Sequence, residues 1–434
     1  MSSPASTAST TVLFLTSRPP FPPENGRKKV LFHYCRYISE VLGNRLIVAS
    51  FSDDATLVND MTIPSFIDRY LELKRPRMWT LFPALLYTLI VKKGPPMQSQ
   101  IYFSKTNAKL ISKIIEDEHV DVVFFDMVRT ARYSKHIQSS IIKVVDLDDL
   151  LSIRYRRQLE VEPSSSPIGP GGNGFLRPIK GLLSAIGLTR AITEVESKLL
   201  REFEISICRY ADHVVLVSDL EARLLQAEVA IPVWTIPIGV NSDELIPPAN
   251  TKVDPKTVVF VGSLDLPHNA TGIEHFVASI WPLILRQEPE AKLLIVGRNP
   301  QQSLIKRVTG SPSIIVEGEV DDIRPWVQTA AVSVAPILFG SGVKTKVIES
   351  LAMGVPVVTN TLGTEGISGY SGCPVITADT DEQFAREVIS LLAHPELRHQ
   401  LSLKGLDFIS RFFDWKVTLR NLESITSIRQ SRRG

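Results

Sequence analysis

The sequence predicts an α/β protein of two doubly wound, Rossmann-like domains, and three observations carry this reading. The 434 residues exceed one typical domain and suit two α/β domains of about 200 residues each. Short β-branched runs alternate with longer helical patterns in two separate series, which is how βαβ units on a parallel sheet read. The two series are parted by IPIGVNSDELIPPANTKVDPKT, where Pro237, Gly239, Pro247, Pro248 and Pro255 make the chain a linker with room for a hinge.

Taken in order, residues 1–10 are small and polar, with neither a basic start nor an apolar run. They read as a disordered tail rather than a targeting peptide. The first domain, 11–245, has strands expected at Val12–Thr16, Arg45–Phe51, Val120–Phe125, Ile142–Leu147, His213–Val217 and Val233–Ile236. A Pro- and Gly-rich loop, Ser17 to Lys29, follows the first strand and opens a helix at about Arg27. The apolar run Trp79–Val91 is too short to span a bilayer and contains Pro83. It reads first as a core helix; the bases around it (Lys74, Arg75, Arg77, Lys92, Lys93) leave contact with anionic lipid through 78–93 as the alternative. Residues 162–175, rich in Ser, Gly and Pro, read as a mobile loop. The second domain, 246–410, has strands expected at Val258–Val261, Lys292–Val296, Ile314–Glu317, Val332–Ala335 and Val355–Thr359. In 411–434, Phe412, Trp415, Leu419 and Leu422 stand at helical spacing.

Composition excludes some functions. A formal net charge of +2 without basic blocks interleaved with aromatics gives no reason to invoke nucleic acid. Cys35, Cys208 and Cys373 are odd in number, far apart and without metal-ligand spacing. They read as reduced thiols of a cytoplasmic protein with no disulfide framework.

The most informative stretch is GSGVKTKVIESLAMGVPVVTN, Gly340 to Asn360. Gly340 and Gly342 permit close approach of backbone to a ligand, Lys344 and Lys346 add positive charge, and a helix from about Thr345 to Met353 aims its N-terminus at the same spot. Gly354 is placed to end that helix. With FVGSLDLPHNATGIEHF (Phe260–Phe276), AKLLIVGRNP (Ala291–Pro300), VEGEVDDIRPW (Val316–Trp326) and GTEGISG (Gly363–Gly369), this stretch resembles the donor site of GT-B glycosyltransferases, in particular the retaining family 4 (group 1). The resemblance covers nearly the whole chain. It implies two Rossmann-like domains facing one cleft, with the last helix crossing back to the N-terminal domain.

What the resemblance implies for single residues is specific. Glu349 matches the second Glu of the family's E-x7-E pattern and is expected on the ribose hydroxyls; the alternative is a solvated helix-surface Glu. The first Glu is replaced by Ser341. The basic pair that relatives use for the pyrophosphate is replaced by Ser263 and Asn269, so that its charge is expected from Lys344, Lys346 and Arg298, beside Gly342 and Val343 of the loop. Glu319 and Val320 stand where relatives offer backbone groups to the nucleobase. Glu365 matches a donor-side turn, with an N-terminal helix charge as its equal alternative. Gly26 matches a glycine beside the donor phosphate, Arg27 and Lys28 being less defined. Asp148, in the run DLDD after the strand at Ile142, falls where relatives place a His near the transferred sugar; Asp149 could instead cap the next helix.

The expected activity is retaining transfer of a sugar from a nucleoside-diphosphate sugar to an acceptor hydroxyl, as in polysaccharide, glycolipid or glycoconjugate biosynthesis. Asp148 and Lys344 are the candidate catalytic residues. No cofactor and no metal is expected, although Asp146-Leu147-Asp148 also fits the short Asp-x-Asp metal motif of the other glycosyltransferase fold. The alternatives are a nucleotide-sugar epimerase of the same fold, or a catalytically silent nucleotide-sugar-binding partner subunit suggested by Ser341. Expected partners are the donor and a carbohydrate, lipid-linked or other hydroxyl acceptor. The expected place is the cytoplasm, with peripheral contact at the inner face of its membrane.

Overall fold

The computed structural model describes residues 10–24, 26–52, 62–161 and 189–427. The expected tail, save Thr10, and the loop 162–175 lie outside the described residues. The chain divides into two compact units, one within residues 1–152, 191–236 and 419–434, the other within 153–190 and 237–418.

In the first unit, strands β1 (Thr11–Thr16), β2 (Arg45–Ser52), β3 (Arg69–Lys74), β4 (Val122–Asp126), β5 (Ile142–Asp148), β6 (His213–Leu216) and β7 (Val233–Thr235) form one sheet in the order β3-β2-β1-β4-β5-β6-β7. Every pairing is parallel. Strands β1 and β4 are covered on both faces, which is why they read as continuous apolar runs; Phe14 stacks on Phe124 with ring centroids 4.8 Å apart.

The second unit repeats the plan with β8 (Asp254–Val261), β9 (Lys292–Val296), β10 (Ile314–Gly318), β11 (Ala330–Ala335), β12 (Val357–Thr359) and β13 (Ile376–Thr377), in the order β10-β9-β8-β11-β12-β13. Its ladders too are parallel. Strand order reverses between β1 and β4 and again between β8 and β11, and ligands of such sheets gather beyond the carboxyl ends at these switch points.

The helices that matter below are α1 (Gly26–Arg36), α2 (Met78–Val91), α3 (Leu151–Val161), α4 (Pro267–His275), α5 (Thr345–Ala352) and α6 (Arg420–Ser427). From Ile153 onward α3 belongs to the second unit, and α6 belongs to the first.

Four expectations need correction. β3, RYLELK, was not read as a strand, because at the sheet edge only its Leu73 is buried and the charged residues face out. β13 is two residues long and leaves no period to read. The run Trp79–Val91 is not a plain core helix: Leu86, Tyr87, Ile90 and Val91 of α2 are exposed, Ile90 at 69%. The chain end is not one helix but three, Pro395–Phe412, Trp415–Thr418 and Arg420–Ser427. The break falls at Asp414, whose carboxylate accepts from the Lys416 N–H at 2.8 Å and from the Ser242 hydroxyl at 2.5 Å. A side chain that bonds the backbone two residues on competes with helix continuation. The three cysteines are free.

Candidate functional site

In the second unit, β8 and β9 end side by side, and their loops are sewn together. The Gly262 N–H donates to the Val296 carbonyl at 3.0 Å and the Leu264 N–H to that of Arg298 at 2.9 Å. The approach is close enough that a Cβ on Gly297 would lie 1.9 Å from the Gly262 oxygen. This juxtaposition gathers four of the expected residues. Arg298 Nε donates to Ser263 Oγ at 2.8 Å, Asn269 Nδ2 to the Ser263 carbonyl at 2.9 Å, and Lys346 Nζ to Asn269 Oδ1 at 2.5 Å. The Lys346 ammonium also lies 4.4 Å from the centroid of the Phe260 ring, a cation–π contact. Ser263, which accepts from Arg298, in turn donates to Asp265 at 2.5 Å.

The Gly340–Lys344 loop follows β11. Gly340 and Gly342 have φ of +144° and +66°, values that disfavour any side chain with a Cβ. Lys344 is the N-cap of α5 and makes no side-chain cap bond. Its ammonium instead folds back on the loop, donating to the carbonyls of Ser341 at 3.0 Å and Gly342 at 2.8 Å. Lys344 thus shapes the loop as well as charging it. Behind it α5 buries Val347, Ile348 and Leu351 and is pinned to β11 by Ser350 Oγ, 2.8 Å from Ser333 Oγ; Gly354, with φ +69°, ends it.

Among the remaining expected residues, Val343 is buried with the α5 core, and half-buried Val320 packs against the cluster of Val296, Met353 and Val355. Glu349 is half-buried on α5. Glu365 does not charge a helix N-terminus: it follows the four-residue helix Thr361–Thr364 at its C-terminal end, and its carboxylate accepts from both terminal nitrogens of Arg157, at 2.6 and 2.9 Å. Ser341, 9% exposed, accepts from Arg154 Nε at 3.1 Å.

Positive groups crowd one another at this end of the sheet. Burial, then the like charge of Lys344, lowers the Lys346 ammonium to about 7 against a small opposing pull from Glu349. Burial, then Lys346, Arg154 and Lys344, pushes the half-buried His268 of α4 well below its ordinary value. Both groups carry less positive charge than they would beside a bound phosphate.

The first unit places a second constellation beyond β1, β4 and β5. Gly26 opens α1, with nothing within 4 Å of where its Cβ would stand, and the next residue, Arg27, is the hub. Its Nε donates to Asp126 at 2.8 Å, one terminal nitrogen to Asp146 at 2.8 Å and the other to Asp148 at 3.1 Å. Asp126 also accepts from the Ser17 N–H at 2.9 Å and hydroxyl at 2.5 Å. Burial disfavours the Arg27 charge, but Asp146, Asp148 and Asp126 outweigh it and hold the guanidinium well above its usual range. Burial wins at Asp146, whose carboxyl is raised, while Arg27 and Ser17 win at Asp126, which is lowered. Asp148 sits at φ +67°, where the register with β6 shifts. Its side chain is 17% exposed against none for Asp126 and Asp146. Of the three carboxylates it is the one open to solvent.

Sequence reasoning missed Arg27 as a hub, Asp126, His268, Arg154 and Arg157. An acid closing the apolar run VVFFD was a readable signal for Asp126; the partners of the three arginines and the histidine are distant in sequence and left none.

Comparison with known proteins bears on the fold and on part of the second unit. The family described as "Glycosyl transferases group 1" matches residues 255–394. A phosphatidyl-myo-inositol mannosyltransferase of Mycobacterium leprae is 27% identical over 215 residues, which cover 47% of this chain and 55% of that protein. The chain spans about half the length of the curated relatives it matches. Among solved structures, sucrose-phosphate synthase from Thermosynechococcus elongatus aligns with a TM-score of 0.69 at 15% identity, over 98% of this chain and 100% of that one. HepE of Anabaena, in complex with UDP and glucose, aligns at 0.61 and 14% identity over 96% and 100%. Residues 255–394 are a group 1 glycosyl transferase domain, in a chain with the GT-B fold.

Proposed function

We propose that the protein moves a glycosyl group from a nucleoside-diphosphate sugar to an acceptor hydroxyl, with retention at the anomeric carbon. The observation that carries this reading is the convergence of Lys346, Asn269, Ser263 and the Gly340–Lys344 loop at the carboxyl ends of β8 and β11. There the uncapped N-terminus of α5 and two lysines meet the diphosphate. As the sugar–phosphate bond lengthens, negative charge grows on the leaving diphosphate, and groups already aimed at it lower the barrier. The sugar develops oxocarbenium character. No protein nucleophile is needed when the acceptor enters from the leaving-group side and a diphosphate oxygen takes its proton. Glu349 holds the ribose hydroxyls, and Asp148, the accessible member of the Arg27 cluster, touches the reacting sugar or the acceptor. HepE in complex with UDP and glucose supports a nucleotide-sugar donor for this chain. No step calls for a metal, and α2 docks the first unit on anionic lipid.

A thermal-shift panel of nucleotide sugars, followed by product analysis with and without acceptor in excess EDTA, tests this. We expect stabilisation by one donor, acceptor-dependent product of retained anomeric configuration, and loss of about 1.5–3 kcal/mol of donor binding in Glu349→Ala, the worth of hydrogen bonds to a charged group. Stabilisation by no nucleotide sugar would overturn the reading, as would product formed without acceptor. Loss of activity in EDTA with recovery in manganese would overturn its metal-free form.

A further inference from the structure

Beyond the carboxyl ends of β1 and β4 stand two arginines that the Arg27 cluster does not use. The two strands pair in register at Leu15 and Phe125; Arg18 follows the first, and Arg129 follows the second within the short helix Met127–Ala131. Two bonds fix this corner: Thr130 Oγ1 donates to the Leu15 carbonyl at 3.1 Å, and the Ser17 N–H to Asp126 at 2.9 Å. Arg129 Nε donates to Gln98 Oε1 at 3.1 Å, a neutral acceptor, while its buried Nη1 meets no acceptor among the described residues. Nor does any described group accept a hydrogen bond from the half-buried side chain of Arg18 or form an ion pair with it. Burial, then the like charge of Arg129, lowers the Arg18 guanidinium; the opposing pulls of Asp126 and Tyr102 are smaller, and Arg27 adds to the repulsion. Asp126 is taken up by Arg27 and by Ser17. Like charges held together away from water cost free energy unless a group of opposite sign joins them.

We propose that Arg18 and Arg129 form a subsite for a phosphate group carried by the acceptor, whose reacting hydroxyl then lies toward Asp148. This deepens the reading of the chain as a glycosyl transferase and rests on it. Each guanidinium is a planar fork that matches the oxygens of a phosphate as an ammonium does not, and a buried donor without an acceptor is what such an oxygen satisfies. Arg27 bonds both Asp126 and Asp148, so the one carboxylate of its cluster that is open to solvent stands beside the two arginines. A molecule seated by its phosphate therefore turns another part of itself toward that carboxylate. Every residue of the subsite belongs to the first unit. A soluble sugar phosphate and a phospholipid headgroup share the required chemistry.

Calorimetric titration of the full chain with glucose 6-phosphate, and separately with dihexanoyl phosphatidylglycerol below its micelle concentration, tests this. At least one should bind, with an affinity that falls as salt rises, and the tighter of the two names the source. Arg18→Gln and Arg129→Gln should each weaken that ligand about tenfold or more, as loss of charge-assisted bonds does. Arg18→Lys, which keeps the charge without the fork, should recover part of the affinity. Arg18 has no hydrogen bond in the protein to lose, so Arg18→Gln should keep the wild-type thermal midpoint, and it carries the test alone should Arg129→Gln, deprived of its bond to Gln98, fail to fold. Equal affinity in Arg18→Gln and wild type would overturn the proposal. So would binding that is lost in Lys346→Met but kept in Arg18→Gln, since the phosphate would then sit in the second unit. A wild type that binds a nucleotide sugar but neither phosphate probe removes this subsite and leaves the donor reading standing; one that binds none of them removes both.

Discussion

Lys346 is where burial and chemistry meet most closely. An ammonium costs free energy to bury, and here burial, reinforced by Lys344, lowers it to about 7. A diphosphate bound there, as proposed, would reverse the local field and raise it again toward the ordinary lysine value. The sign follows from counting protons. Below pH 7 the amine is protonated in both free and bound states and affinity does not vary with it. Above pH 7 the free site has lost the proton that the bound site holds, so binding takes up a proton and weakens as pH rises, by at most tenfold per unit for one coupled proton. Lys344, Glu349, Asn269 and His268 face the amine and set how far its pKa recovers. Calorimetry with a nucleoside diphosphate from pH 6 to 9, in buffers of different ionisation heat, should register this uptake in the wild type and its loss in Lys346→Met. Affinity flat from pH 6 to 9 in the wild type would sink the linkage.

At the scale of elements, the decisive feature is the meeting of two strand ends rather than any strand by itself. Gly297→Ala would drive a Cβ to 1.9 Å from the Gly262 oxygen, and backbone, unlike a flexible side chain, yields only by separating β8 from β9. Overpacking of this kind costs about 1–3 kcal/mol. The urea midpoint should fall accordingly with an unchanged slope, and donor binding should suffer with it because Ser263 and Arg298 ride on the same two loops. Gly26→Ala, with open space around its Cβ, should leave the midpoint nearly in place. A Gly297→Ala protein as stable as wild type would refute the close-packing argument. The same contrast explains what could be read in advance. β1, β4, β9 and β11 were legible because strands buried on both faces are written as unbroken apolar runs, and α5 because a glycine pair, two lysines and Gly354 mark its ends. β3 was not, since a charged edge strand looks like a loop. Arg27 was not, because the three carboxylates that make it a hub come from β4 and β5, about a hundred residues on.

For the whole molecule, a formal net charge of +2 gives almost no general attraction to an acidic surface, so any membrane affinity has to be local. α2 supplies a local cause. Leu86, Tyr87, Ile90 and Val91 are exposed at spacings of one, four and five residues, which puts them on one side of the helix, and exposed Lys92 and Lys93 follow at once, with exposed Lys74 and Arg77 before it. Among the described residues no helix is long and apolar enough to cross a bilayer, so the contact would be interfacial. Each basic residue near an anionic surface contributes about 1 kcal/mol, an effect that fades within a Debye length of about 10 Å at 0.1 M salt and about 3 Å at 1 M. The apolar face adds a part that salt does not screen. Co-sedimentation with phosphatidylglycerol vesicles should therefore be strong at low salt and weaker but not abolished at high salt, and co-sedimentation with uncharged vesicles should be weak and insensitive to salt. Lys92→Glu combined with Lys93→Glu should remove the salt-sensitive part, and Ile90→Ser the remainder, with donor affinity unchanged in both. Absence of vesicle binding at every salt concentration would refute the docking, and concentration-dependent dimerisation abolished by Ile90→Ser would assign the face to a second copy of the chain instead.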